Sequence, residues 1–153
     1  MSKIRKFNSF LFFKLPAAWW TGVRLRALDS EQGIVTVRHR WINQNPFKSM
    51  FWAVQGMAAE LSTGTIVIEQ IKASGKRISM LVVSNQSVFT KKARGKITFH
   101  CKDGNICKEA LEKTISTGEG ISFWMTSVGK DEQGDEVATF KFEWSVKLKS
   151  DSK

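Results

Sequence analysis

"NPFKSMFWAVQGMAAELSTG", residues 45–64, decides how the rest of the chain is read. Pro46 fixes its own φ and pushes Asn45 toward extended backbone, so the stretch opens on a turn. Ser49 stands where a helix N-cap is expected. Met50, Phe51, Trp52, Ala53, Val54, Met57, Ala58, Ala59 and Leu61 then surround a helical axis. A helix that is apolar all round is expected to be buried all round. Yet Glu60 stands in its middle, and an ionised carboxylate without a partner is expensive to bury. The pattern predicts a helix over 50–71, passing through Gly64, although "TIVIEQI" at 65–71 has strand-like composition.

Outward from this helix the pattern changes period. "GVRLRALD" alternates Val23, Leu25 and Ala27 with Arg24 and Arg26, and "IVTVRHR" at 34–40 follows after a polar turn, so the two predict a hairpin. "KRISMLVVSNQSVFTKK" at 76–92 predicts a long strand with a bulge near Asn85 and Gln86. "GKITFHCKD" continues as a strand, and "NICKEALEKTISTG" spaces Ile106, Ala110, Leu111 and Ile115 helically, with Gly118 as its stop. "ISFWMTSV" and "EVATFKFEWSVKLK" are strands joined by a polar turn. The last is the plainest, with Phe140, Phe142, Trp144, Val146 and Leu148 alternating with polar residues. At the N-terminus, residues 1–20 predict an amphipathic helix that Pro16 ends or bends. Residues 149–153 are read as a frayed tail of one 153-residue domain.

Short connections make the six strands antiparallel. A sheet of this size can cover a helix on every side only by curling around it. The expected class is therefore α+β, a curved six-stranded antiparallel sheet around a long central helix, preceded by an N-terminal helix.

Composition narrows the function. The chain is 42% hydrophobic and 25% charged, with a net charge of +10, which favours anionic partners. Tyr is absent beside 11 Phe and 6 Trp, an aromatic mass with few hydroxyls that suits apolar cores or acyl-sized pockets. Cys101 and Cys107 are too few for a disulfide framework or a zinc site and are read as free thiols of a cytoplasmic protein. His39 and His100 lack partners at metal spacing, so no metal and no cofactor are expected. Neither a G-x-S-x-G elbow nor a phosphate-binding glycine loop is present. The apolar run near the N-terminus is interrupted by Lys14 and Pro16 and is too short to span a bilayer. Attachment to a membrane surface through Lys3, Arg5 and Lys6 beside Phe7, Phe10, Phe12 and Phe13 ranks behind docking on the domain.

The stretches "LPAAWWTGVRLRALD", "NPFKSMFWAVQGMAAELSTG", "FTKKARGKITFHC" and "GDEVATFKFEWSVKLK" resemble an uncharacterised hotdog-fold family, a domain of unknown function close to the PaaI-type acyl-CoA thioesterases. The resemblance implies the hotdog fold and a homodimer, sometimes paired into a tetramer, with acyl-CoA or a related thioester bound at the dimer interface. By the same resemblance Glu60 is the general base or nucleophile and Asn45 positions water. The Trp52 and Ala53 N–H groups hold the oxyanion. Phe51, Trp52 and Met57 shape the acyl pocket, and Lys91, Lys92 and Arg94 meet the nucleotide phosphates. Gln55, one turn before Glu60 on the same helix, is expected to share its cavity and bind substrate there. One departure is evident: the His-Gly-Gly-like helix entrance of PaaI-type enzymes is replaced by Phe51, Trp52 and Ala53.

Each assignment has a plainer counterpart. Glu60 could pair with Arg38 or Arg40 in the interior. Asn45 could serve only its own turn, and the lysines could be a solvated charge run. A non-catalytic hotdog dimer that binds an acyl or lipid ligand, or acts as a scaffold, is the alternative to an enzyme. Nucleic-acid binding ranks last, for want of a recognisable motif.

Overall fold

The protein is described by a computed structural model covering residues 1–150. Most of the expected tail lies outside those residues, but the Lys149 N–H still donates to the Arg77 carbonyl at 2.9 Å. The elements in chain order are α1 (Lys3–Lys14), α2 (Pro16–Trp20), β1 (Arg24–Leu28), β2 (Gly33–Arg38), a short 3-10 turn (Trp41–Asn43), α3 (Trp52–Ser74), β3 (Ile78–Phe89), β4 (Lys96–Cys101), α4 (Gly104–Thr117), β5 (Ile121–Lys130) and β6 (Glu136–Leu148). Pro16 divides the predicted N-terminal helix in two by taking the first position of α2, where its missing N–H is harmless.

All six strands join one antiparallel sheet in the order β1-β2-β4-β5-β6-β3, and α3 packs mainly against β1, β2, β4, β5 and β6. This is the hotdog arrangement. The β3 bulge falls between Val82 and Ser84, close to its expected place. Gly118 ends α4 in the left-handed conformation as expected.

The helix α3 runs through "TIVIEQI" to Ser74. β-branched residues disfavour a helix by no more than about 0.7 kcal/mol each, whereas fully burying Ile66 and Val67 returns about 1.5–3 kcal/mol apiece. Burial decides.

Two expectations about α3 are corrected. Ser49 is not its N-cap; Phe51 occupies that position without a side-chain cap, because the Ser49 hydroxyl is turned to Asn45. Nor is α3 buried all round. Its middle, from Leu61 to Val67, is buried on all sides, but Trp52 is exposed and Ala53, Gly56, Met57 and Glu60 are only half-buried. Those residues line one stripe of the first two turns. The sheet covers the middle of the helix and stops short of this stripe, and residues 68–74 at the other end are half-buried or exposed.

Where β2 begins, the chain comes close to α3. A Cβ on Gly33 would stand 2.3 Å from the Ser62 carbonyl oxygen, a backbone atom of the helix. Gly33→Ala must therefore push the strand off the helix. The expected loss is about 3 kcal/mol in denaturant unfolding, at the upper end for overpacked cores. A change under 1 kcal/mol would contradict this packing.

Candidate active site

A cavity of about 570 Å³ lies at the N-terminal end of α3. Its wall is formed by the turn before the helix (Asn45, Phe47, Ser49), by Phe51, Trp52 and Gln55, and by the segment after β3 from Phe89 to Ala93. Asn45, Phe51, Trp52, Gln55, Lys91 and Lys92 thus line one cavity. Ala53, Met57, Glu60 and Arg94 are not part of this wall.

The turn explains the shape of the entrance. The Asn45 Oδ1 accepts from the Phe47 N–H at 2.9 Å and from the Ser49 N–H at 3.3 Å, while its Nδ2 donates to the Ser49 Oγ at 3.1 Å. Lys48 takes a positive φ of 57° to close the loop. The Asn45 amide is therefore engaged in holding its own turn. The turn delivers the chain so that Phe51 starts the helix, its N–H donating to the Asn43 carbonyl at 2.8 Å. The next two N–H groups, of Trp52 and Ala53, have no acceptor among the described residues. They form the electropositive end of a 23-residue helix.

Gln55 is 4% exposed and lines the same cavity. Its Nε2 reaches the Met50 carbonyl at 3.4 Å, but its Oε1 is buried with no partner among the described residues. An orphaned buried acceptor is uncommon, so this one is a place where a donor from outside the chain would be favoured.

Glu60 lies elsewhere. It is eight residues beyond Trp52, a rise of roughly 12 Å, and about 140° around the axis from Gln55. Gln55 therefore shares its cavity with Asn45 and not, as expected, with Glu60. No hydrogen bond or ion pair to the Glu60 carboxylate exists among the described residues. Arg38 is turned to Glu132 at 3.6 Å, so it is not the internal partner considered from sequence, and Arg40 likewise makes no ion pair with Glu60.

Gly56, Glu60 and Gly64 fall in one row at a spacing of four. A Cβ on Gly56 would touch the Phe140 ring at 3.5 Å, and one on Gly64 would meet Trp144 at 3.1 Å and the Glu60 Oε1 at 3.4 Å. The two glycines thus let the aromatic side chains of β6 close in on either side of the carboxylate. Trp144 is held there by its indole N–H, which donates to the Thr63 hydroxyl at 2.9 Å. This burial raises the Glu60 pKa above its ordinary value, with no opposing charge to pull it down. Thr63, Phe140 and Trp144 were not foreseen from sequence; the glycine spacing around Glu60 was the available signal.

The basic residues divide. Lys91 is paired with Asp131 at 2.6 Å and Asp135 at 2.8 Å. Those hydrogen bonds raise its pKa and lower that of Asp131. The Arg94 Nε donates to the Lys48 carbonyl at 3.2 Å and braces the turn from outside. Lys92 is exposed at the cavity rim with no ion pair among the described residues. Cys101 and Cys107 are buried free thiols, pushed up to about 12 by burial, and so stay protonated at neutral pH. Among the described residues no three His, Cys, Asp or Glu side chains gather as a metal site, and no helix is long and apolar enough to cross a membrane.

The chain matches the domain-of-unknown-function family DUF4442 over residues 4–146 and belongs to it. No curated protein matches it. Among solved structures it is similar to the Pseudomonas aeruginosa protein PA5026, named a probable thioesterase. That likeness has a TM-score of 0.81 at 18% identity and covers 97% of this chain and 99% of the other. It is also similar to thioesterase HI1161 of Haemophilus influenzae, with a TM-score of 0.73 at 11% identity over 97% and 92% of the two chains. Thioesterase PA1618 of Pseudomonas aeruginosa gives 0.70 at 10%, over 97% and 96%. At these identities the likeness establishes the shared hotdog fold.

The raised pKa of Glu60 gives a stability test. Below the unfolded value near 4.5 both states are protonated and the group contributes nothing. As pH rises through the raised native value, ionisation favours the unfolded chain, so the native state loses stability. Glu60→Gln removes this term. The variant should melt with the wild type near pH 4 and above it at pH 8, by thermal unfolding. A difference independent of pH would show that Glu60 is not strained by burial.

Proposed function

We propose that the protein is a hydrolase of acyl thioesters, acting on acyl-CoA at a site formed between two copies of the chain. The observation that carries this reading is the unpaired Glu60 carboxylate on the half-open stripe of α3. A second copy related by a twofold axis can lay its own stripe against this one. That arrangement would bring Glu60 of one subunit toward the helix entrance of the other, a meeting that the 12 Å rise forbids within one chain. The free edge of β3 supports the same partner. It offers a strand of 12 residues paired to β6 on one side only and bearing exposed Leu81, Val83 and Val88, suited to pairing with its copy. The thioesterase names of the similar structures agree with this chemistry.

In this scheme Glu60 takes a proton from water, whose oxygen attacks the thioester carbonyl. The Trp52 and Ala53 N–H groups stabilise the oxyanion that develops. Collapse breaks the C–S bond, and the leaving thiolate takes up a proton. Direct attack by the carboxylate, followed by hydrolysis of the anhydride, gives the same products. Gln55 accepts a hydrogen bond from the ligand through its orphaned Oε1. Phe51, Trp52 and Met57 bound the acyl group. Lys92 supplies the free cation for phosphate, while Lys91 is already neutralised and Arg94 braces the loop. Asn45 acts through the turn that it holds.

Phe51 and Trp52 favour a second reading. They stand at the entrance where PaaI-type enzymes are small, and there they would hold an acyl ligand without letting it reach the helix N–H groups. This is a binding protein on the same dimer.

Purified protein assayed against acyl-CoAs of graded chain length, and against an aryl-CoA, separates the two. The hydrolase reading expects turnover that rises with pH as Glu60 ionises and falls at least about 100-fold in Glu60→Gln. Gln55→Leu should lower turnover about tenfold while leaving stability unchanged or raised, since it removes an unsatisfied buried group. Ligand bound without turnover on every chain length would establish the binding protein instead.

A further inference from the structure

The first 28 residues carry six basic side chains and no acidic one. Only Lys3 among them forms an ion pair among the described residues, with Glu69. The same segment buries Leu11 and packs Ile4 and Phe7 on the core, so the helix α1 is docked on the domain as expected. Its other side is not covered. Phe13 is 74% exposed and Trp20 63%.

Aromatic side chains pack together where α1 meets α2. Phe12 meets Phe13 edge-on at 4.9 Å and Trp19 at 5.5 Å. The Arg24 guanidinium lies 3.5 Å over the Trp19 ring. Burial there, and the nearby charges of Arg40 and Arg26, lower the Arg24 pKa, which places three arginines within electrostatic reach of each other. The Asn43 Nδ2 donates to the Thr21 carbonyl at 2.9 Å and so ties the turn bearing Trp41, 83% exposed, to the end of α2.

We infer that this face, formed by α1, α2 and the Trp41–Asn43 turn, docks on an anionic phospholipid bilayer. Indole and phenyl groups settle at the headgroup boundary while arginine and lysine meet lipid phosphates. Exposed Leu15 and Ile42 belong to the same segments. They gain from an acyl boundary and gain nothing from stacking on nucleic-acid bases. A second copy is disfavoured because a twofold contact here would set basic groups against basic groups. The α1 side of the face also stays open in the proposed dimer. The helix α1 packs on β1, at the opposite edge of the sheet from β3, with α2 beside α1. The inference does not depend on the hydrolase reading.

The test is co-sedimentation of the full chain with vesicles of phosphatidylcholine containing roughly 30% phosphatidylglycerol, beside phosphatidylcholine alone, at about 0.1 M salt. Wild type should bind the anionic vesicles and not the neutral ones. Phe13→Ser with Trp20→Ser should weaken binding more than about tenfold. Arg5→Gln, Lys6→Gln and Lys14→Gln together should weaken it about fivefold per charge. Lys108→Gln with Lys113→Gln, on α4, should bind as wild type. Should the aromatic variant fail to fold, the charge variant decides alone, because its three side chains are all exposed. No preference for anionic vesicles, undiminished binding by the charge variant, or displacement of bound protein by a single-stranded oligonucleotide would each overturn the inference.

Discussion

The carboxylate of Glu60 has been taken partly out of water without being given a charge to face, and much of the molecule is arranged around that fact. It sits in a row with Gly56 and Gly64, whose missing side chains admit Phe140 and Trp144 from β6 on either side. The indole N–H that holds Trp144 is satisfied by Thr63, on the next turn of the same helix, and so is not available to the acid. Desolvation without compensation stores a stability deficit at neutral pH. Such a deficit is the ordinary signature of a group kept for chemistry or for a partner.

Helical phase then separates the site into two parts. The cavity at the start of α3 holds the free N–H groups, the orphaned Gln55 oxygen and the basic rim. The acid emerges farther along the helix, on the stripe that Trp52 and Ala53 begin but about 140° around the axis from Gln55. A single chain cannot fold these parts together, because a helix is rigid over two turns. The open stripe and the free β3 edge are the two surfaces on which a second chain would settle, and both lie beside the acid or the cavity. The proposed dimer uses one constraint to explain three features: an unpaired carboxylate, an uncovered helix face and an apolar strand edge.

Much of this fold is legible in the sequence. Period-two alternation in β1, β2 and β6 and the all-apolar start of α3 lead to a curled sheet around a helix. The ambiguity at 65–71 arose because β-branched residues look like a strand locally, while Ile66 and Val67 are fixed as helix by what they bury against. The Ser49 cap failed because Asn45 competes for the same hydroxyl, a tertiary choice that spacing does not reveal. Apolarity around α3 could not distinguish burial by the chain's own sheet from a face awaiting another subunit. The site residues at the helix entrance were legible because sequence neighbours are held in one turn. The separation of Gln55 from Glu60 follows from the helical angle, which the expectation of a shared cavity overlooked. The aspartates that neutralise Lys91 come from 40 and 44 residues away, and no local pattern announces them.

Subunit mixing tests the central claim most directly. Glu60→Gln and Gln55→Leu impair different halves of the proposed site, to about a hundredth and about a tenth of wild-type turnover, so neither variant alone retains a complete pair. Co-refolded in equal amounts, half of the dimers are mixed, and each mixed dimer carries one intact site of two. The account predicts return of about a quarter of wild-type thioester turnover. If mass spectrometry shows mixed dimers and turnover stays at the level of the parent variants, Glu60 does not work across the interface and the account is wrong.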